Sequence, residues 1–288
     1  MKRLSAIILT TLFAFSSVLP QQLYMPRTVR AAFATETRSP DGKPGKNYWQ
    51  NKATYNIKVA VAPPNRTVTG SEEITYVNNS PDTLRNLVFR LTMNGHSPQA
   101  ARERSISADY VSTGVLIDEY TENGKVKAWR QQISETAQGV RLDKPLAPHE
   151  SVKLTFKWHY DGSVESGREG AIDPTTFFLA YFYPRVAVYD DIDGWDQFPF
   201  LEGHEFYNDF NDYTFQVVTP KNFIVWATGD LLNADETLQP KYAQRLKASF
   251  TSDDVTHVAT ADELAGKSVT AQNDTLTWKW KADNVSDV

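Results

Sequence analysis

The sequence predicts an all-β fold, mainly antiparallel, and three observations predict it. Apolar residues recur at every second position in several separate stretches, which is the period of a half-buried strand. Clusters of Gly, Pro, Asn and Asp punctuate those stretches. The strongest of these stretches, over 152–160, settles the class as mainly β. The clearest element is Val152, Leu154, Phe156, Trp158 and Tyr160, alternating with Lys153, Thr155, Lys157 and His159.

Taken in order, Tyr55, Ile57, Val59 and Val61 mark a first strand, and Pro63-Pro64-Asn65 turns the chain. A second strand runs over 67–78, Asn78-Asn79-Ser80-Pro81-Asp82 forms a turn, and Leu87, Phe89 and Leu91 mark a third strand. This succession reads as an antiparallel meander. A short helix is expected over 98–104, with Ser97 as N-cap and Pro98 at the first helical position. Strands are expected over 111–120 and 125–129, around the turn Glu122-Asn123-Gly124. After the 152–160 strand, Tyr213, Phe215 and Val217 share one face of another, with Thr214, Gln216 and Val218 opposite. Residues 223–228 read as a further strand, 261–267 as a short helical turn, and Leu276, Trp278 and Trp280 mark a last strand.

The chain has 288 residues, 41% hydrophobic and 23% charged, enough for a substantial core in a globular protein. Its net charge of -5 argues against a general nucleic-acid surface. It has no cysteine, which excludes disulfides, thiolate metal sites and a cysteine nucleophile. Lys2 and Arg3 precede an apolar run from Leu4 to Leu19, the pattern of an export signal. That run is shorter than the roughly 20 residues of a bilayer span. Ala32-Phe33-Ala34 has the small-x-small form of a cleavage site but lies far beyond the run. Residues 1–34 are therefore read as a signal peptide or an N-terminal anchor, 35–46 as a polar linker, and 47–288 as the folded domain. The product is expected to be exported, with membrane attachment only if the N-terminal segment stays uncleaved.

The segment 177–222 concentrates the distinctive residues. Tyr183-Pro184-Arg185 is followed by Val188-Tyr189-Asp190-Asp191, Gly194-Trp195 and Glu205-Phe206-Tyr207. In order and spacing it resembles the N-terminal β domain of bacterial zinc metallopeptidases related to aminopeptidase N. The stretch Leu142 to Ser151, a proline-rich turn before a strand, resembles the same family, and the likeness covers nearly all of 48–288. The resemblance implies a large curved antiparallel β assembly, or sandwich, that precedes a thermolysin-like catalytic domain and covers one side of its cleft. It implies zinc in that catalytic domain, which lies outside these residues, and that domain, in cis or in trans, as partner. Peptide substrate would be met only through it. One family position, often Gln or Glu, helps anchor the substrate's N-terminus. Its nearest match is Tyr181, which carries neither amide nor carboxylate, and Arg185 is the second cleft candidate.

The residues themselves offer little catalytic chemistry. A zinc peptidase helix carries H-E-x-x-H, two histidines one turn apart with the glutamate as general base. His149-Glu150 and His204-Glu205 start that pattern, but the second ligand position holds Lys153 in one case and Asn208 in the other. None of Met1, Met25 and Met93 precedes Glu-Asn, so the family's amine-gripping Gly-x-Met-Glu-Asn motif is absent. His159 lies on the polar face of the 152–160 strand, and His96 and His257 read as isolated. The acidic turn 190–194 lacks the ligand spacing of a calcium loop and reads as carboxylates capping backbone N–H groups, with Arg185 holding it. No catalytic or metal-binding residue is assigned. The alternative, from another class, is a stand-alone secreted β-sandwich that binds carbohydrate or protein through Tyr181, Phe182 and Trp195.

Overall fold

The computed structural model describes residues 24–164, 169–201 and 206–288. The apolar run 4–19 and the pair His204-Glu205 lie outside them. The chain divides into two compact units, Met1–Asn47 and Tyr48–Val288.

In the first unit, helix α1 (Arg27–Ala34) buries Ala32. The stretch after it, expected as a polar linker, folds back on itself: Arg38 pairs with Pro44, and Gly45 N–H donates to the Thr37 carbonyl at 2.9 Å. Among the described residues no helix is long and apolar enough to cross a membrane.

The second unit is built on strands, as the sequence predicts. They are β1 (Lys52–Val61), β2 (Thr67–Val77), β3 (Leu84–Arg90), β4 (Leu116–Glu122) and β5 (Lys125–Lys127). There follow β6 (Ala137–Leu146), β7 (Ser151–Asp161), β8 (Gly170–Asp173), β9 (Thr176–Phe178) and β10 (Arg185–Val186). Then come β11 (Tyr189–Asp190), β12 (Gly194–Trp195), β13 (Asn211–Pro220), β14 (Asp230–Leu231) and β15 (Thr275–Val285). Short helices α2 (Ala234–Thr237), α3 (Pro240–Ser249) and α4 (Ala261–Ala265) lie between the last two strands. Eight strands form one sheet in the order β14-β15-β13-β1-β2-β7-β4-β5, antiparallel except where β1 and β13 run parallel. A second sheet, β10-β3-β6, supplies a facing layer.

The period of two explains the large sheet. Tyr55, Ile57 and Val59 of β1, Leu154, Phe156 and Trp158 of β7, Phe215 of β13 and Trp278 of β15 all point inward and are nearly inaccessible. The outer face carries ion pairs such as Lys153–Glu73 (2.7 Å) and Lys157–Glu119 (3.0 Å). These are exposed, and stabilise little. Leu87 and Phe89 of β3, with Leu142 and Leu146 of β6, close the core from the second sheet. Gly70 is required by that packing. A Cβ there would lie 2.2 Å from the Trp158 ring, whose Nε1 donates to the Phe182 carbonyl at 2.9 Å.

Several expectations need correction. The first three strands are not a meander: β2 pairs with β1 and β7, while β3 leaves for the second sheet between β10 and β6. The turn at 78–82 redirects the chain out of the sheet because Asn78 ties it elsewhere. Its Nδ2 donates to the carbonyls of Asp82 (2.8 Å) and Leu146 (3.0 Å). No helix forms over 98–104. The Ser97 hydroxyl donates to the Ile133 carbonyl at 2.7 Å instead of capping, and the Ser97 carbonyl accepts from the Ala100 N–H at 3.2 Å and from the Arg102 guanidinium, so a single turn closes and no helix follows. The strands around Asn123-Gly124 are shorter than expected, β4 starting at Leu116 and β5 ending at Lys127. Their turn is the expected tight one, with φ of 49° at Asn123 and 79° at Gly124. Residues 223–228 have strand composition but join no sheet. Conversely, β6 carries no alternation that announces it.

Candidate functional site

The Tyr183-Pro184-Arg185 knot lies where the two sheets meet. β10 pairs with β3, so Arg185 sits opposite Arg90. Both arginines are buried, each 3% exposed, so each charge needs a partner. Arg185 Nη1 lies 2.5 Å from Asp287 Oδ2, and the Tyr183 hydroxyl lies 2.7 Å from Asp287 Oδ1 and 3.3 Å from the Tyr213 hydroxyl. Burial works against the Arg185 charge, but the Asp287 carboxylate outweighs it and holds the pKa above that of an ordinary arginine. Arg90 instead takes Asp196 and the Phe198 carbonyl. Sequence reasoning gave Arg185 to the acidic turn; the structure gives it Asp287, and the cation beside that turn is Arg90.

The acidic turn holds itself, as its residue types suggest. Asp190 Oδ1 accepts from the N–H groups of Ile192 (2.9 Å) and Asp193 (2.8 Å), and Gly194 takes φ of 72°. Asp190 Oδ2 accepts from the Tyr207 hydroxyl at 2.6 Å. Burial, with the Asp190 charge adding to it against a hydrogen bond from Gln50, raises Asp209 to about 7. Among the described residues no three His, Asp or Glu side chains are placed to hold a metal ion together.

Tyr181 stands at the lip of a groove of about 980 Å³. Its backbone is left-handed, with φ of 55°, and its half-buried ring packs edge-on to Phe206 at 5.3 Å. Val59, Val61, Phe215 and Val217 of the large sheet floor the groove, and residues 175–182 and 223–228 wall it. Phe178 and Trp226, one from each of these two segments, are 53% and 55% exposed. Tyr181 therefore lines this groove and Arg185 does not: Arg185 reaches it through Asp287 and through Phe206, whose ring lies 5.0 Å from the guanidinium and 5.3 Å from the Tyr181 ring. Phe182 is buried, and Trp195 is half-buried against Tyr76 and Tyr189, so both rings are engaged in packing.

The histidines divide clearly. His149 N–H donates to the Asn78 carbonyl at 2.6 Å, while Glu150 binds Lys144 and the Ala147 N–H, both of which lower its pKa. This pair shapes the turn before β7. His159 pairs with Asp118 on the surface at 2.9 Å. His96 is not isolated. Its Nδ1 lies 2.6 Å from Ser163 Oγ and its Nε2 lies 3.2 Å from Glu169 Oε1, with the Tyr110 ring at 4.2 Å. Sequence separation hid this cluster, since its members stand 67 and 73 positions apart. All three side chains are buried. A nucleophile sealed in this way meets no substrate, so the trio ties Ser163 and Glu169 to the 3-10 turn Thr92–His96. Burial pushes His96 down to about 4, opposed by its bond to Tyr110 and helped by the Arg102 charge, so it is neutral at pH 7.

No family model matches the chain, and no curated protein matches it. Solved structures do. The M1 zinc metallopeptidase of Deinococcus radiodurans is 12% identical over 83% of this chain and 40% of its own, with a TM-score of 0.41. A mutant of that enzyme bound to a Tyr-Ser-Ala substrate gives 14% identity, the same coverage and the same score. A two-domain M1 zinc metallopeptidase mutant bound to L-tryptophan gives 13% identity over 83% of this chain and 41% of its own, again at 0.41. This chain spans about two fifths of the length of these structures. Likeness at this level assigns no activity.

Proposed function

We propose that this chain is an exported β domain that packs against the catalytic domain of an aminopeptidase N-like zinc metallopeptidase and walls one side of its cleft. Hydrolysis and zinc belong, in this reading, to the other domain. The observation that carries it is the arrangement of the motif bearing the family resemblance. The knot is buried as a rigid support (Tyr183 and Arg185 on Asp287), while Tyr181 two residues away sits at the lip of a groove flanked by exposed Phe178 and Trp226. A wall needs that combination: a fixed base, with apolar surface left over for a neighbour. Tyr181 would meet the neighbour or its peptide through an aromatic face, since it has no carboxylate to grip an amine.

The test is metal analysis of the purified chain beside assays with aminoacyl chromogenic substrates. The expected outcome is no stoichiometric zinc and no zinc-dependent turnover; finding both would overturn the reading. A glycan array decides against the stand-alone carbohydrate module if it is silent. Silence is expected, because Phe182 and Trp195 are engaged in packing.

A further inference from the structure

The groove has a feature that its apolar lining does not explain. Residues 223–228 (Phe-Ile-Val-Trp-Ala-Thr) have the β-branched and aromatic composition of a strand. Yet no backbone N–H or C=O from 223 to 228 has a hydrogen-bond partner among the described residues, although Ile224, Val225 and Ala227 are half-buried. In the 175–182 segment Leu179 and Ala180 likewise have no backbone partner among the described residues. Backbone groups beside apolar surface normally find partners, so an unpaired strip of this composition is a template for one more strand.

We propose that the groove between 175–182 and 223–228 takes an extended, uncharged polypeptide segment of another protein, which adds as a β-strand along the backbone of 223–228. Two observations set the occupant's chemistry. Among the described residues that line the groove the one charged side chain is Asp287, already paired with Arg185, and Thr175, Thr176, Tyr181, Thr219 and Thr228 carry its hydroxyls. An alternation of β-branched and hydroxyl residues matches that lining, and a charged strand would have no counter-ion. The walls decide the form. In a second copy the same strip lies against its own sheet with its own facing wall beside it, so it cannot enter a walled groove. A segment free on both sides can, and its main chain supplies the bonds while alternate side chains meet the walls. This holds whether or not the metallopeptidase reading does.

The probe is a capped peptide, acetyl-Thr-Val-Thr-Val-Thr-Val-amide, added to the whole chain while amide hydrogen exchange is followed. Expected are slowed exchange of amides within 223–228 and peptide carbonyl bands at strand frequency when the peptide is isotope-labelled. A peptide N-methylated at alternate residues keeps the side chains but loses donors, and should bind at least about tenfold more weakly. Ile224→Pro and Val225→Pro remove adjacent N–H groups that point in opposite directions. One of the two should weaken binding by about tenfold and the other should not, with far-UV spectra reporting that both remain folded. Equal binding of the N-methylated peptide would reduce the effect to apolar adhesion and overturn the proposal. So would absence of protection, or protection that rises with protein concentration without peptide, which would make a second copy the occupant.

Discussion

Glu72 sits on β2 between Ile57 and Phe156 of the flanking strands, 4% exposed, and neither carboxylate oxygen has a hydrogen-bond partner among the described residues. Burial alone raises its pKa well above the ordinary 4.5, so the folded protein keeps it protonated where the unfolded chain ionises. The sign follows from proton binding. Its favourable contribution is complete below about pH 4.5 and is lost as pH rises from there toward the raised folded value. Asp209 acts in the same direction between 3.8 and about 7. Replacing Glu72 by Met, of similar length and without the charge, is expected to stabilise the fold by about 1–3 kcal/mol at neutral pH. Denaturant titrations should show the gap between variant and parent shrinking toward pH 4.5, the ordinary value for a glutamate. A gap of the same size at acid and neutral pH would refute this account. Nothing local in Ser71-Glu72-Glu73 shows which glutamate points inward; only the register with Ile74 and Tyr76 does, so this site was legible in the alternation and easily passed over. Arg185 was legible as important, but its partner Asp287 stands 102 positions away, and spacing says nothing about such a pair.

At the level of the element, legibility follows burial on one face only. β1, β7, β13 and β15 announce themselves because each exposes one face to water, and the period of two survives in the residues. β6 does not, since most of its residues from 139 to 145 are exposed and it carries Asp143, Lys144 and Pro145. The strip 223–228 fails in the opposite sense: its composition suits a strand, but strands are made by partners, and none of the described residues pairs with it. Gly70 shows how tightly two correctly read strands constrain each other. A methyl group there meets Trp158 at 2.2 Å, and that indole is held by its bond to Phe182. Gly70→Ala should therefore cost about 1–3 kcal/mol through overpacking. Thermal unfolding would check it, with an unchanged midpoint counting against the packing argument. The usual gain from replacing glycine in a strand works in the other direction and amounts to less than about 1 kcal/mol.

Over the whole molecule, what remains is the surface left uncovered by the facing layer. The second sheet stands opposite part of the large sheet, and over the β1–β13 pair a groove lined by 175–182, which includes β9, and by the unpaired 223–228 takes its place. The sequence could place aromatic residues in this region but could not say which would end in water. Trp195 and Phe182 are drawn into packing, while Phe178 and Trp226, one from each of these two segments, remain about half exposed. Covering apolar area gains roughly 25 cal/mol per Å², so a patch of a few hundred Å² represents several kcal/mol before association costs. Such a surface should bind an apolar-surface dye while the fold is intact. Replacing Phe178 and Trp226 together by Ser should abolish most of the fluorescence gain and leave stability within about 1 kcal/mol, because each half-exposed side chain away from special features contributes about 0.5 kcal/mol or less. The stability measurement separates the causes. Lost dye binding with lost stability would mean that these rings belong to the core, and undiminished dye binding would place the apolar surface elsewhere on the molecule.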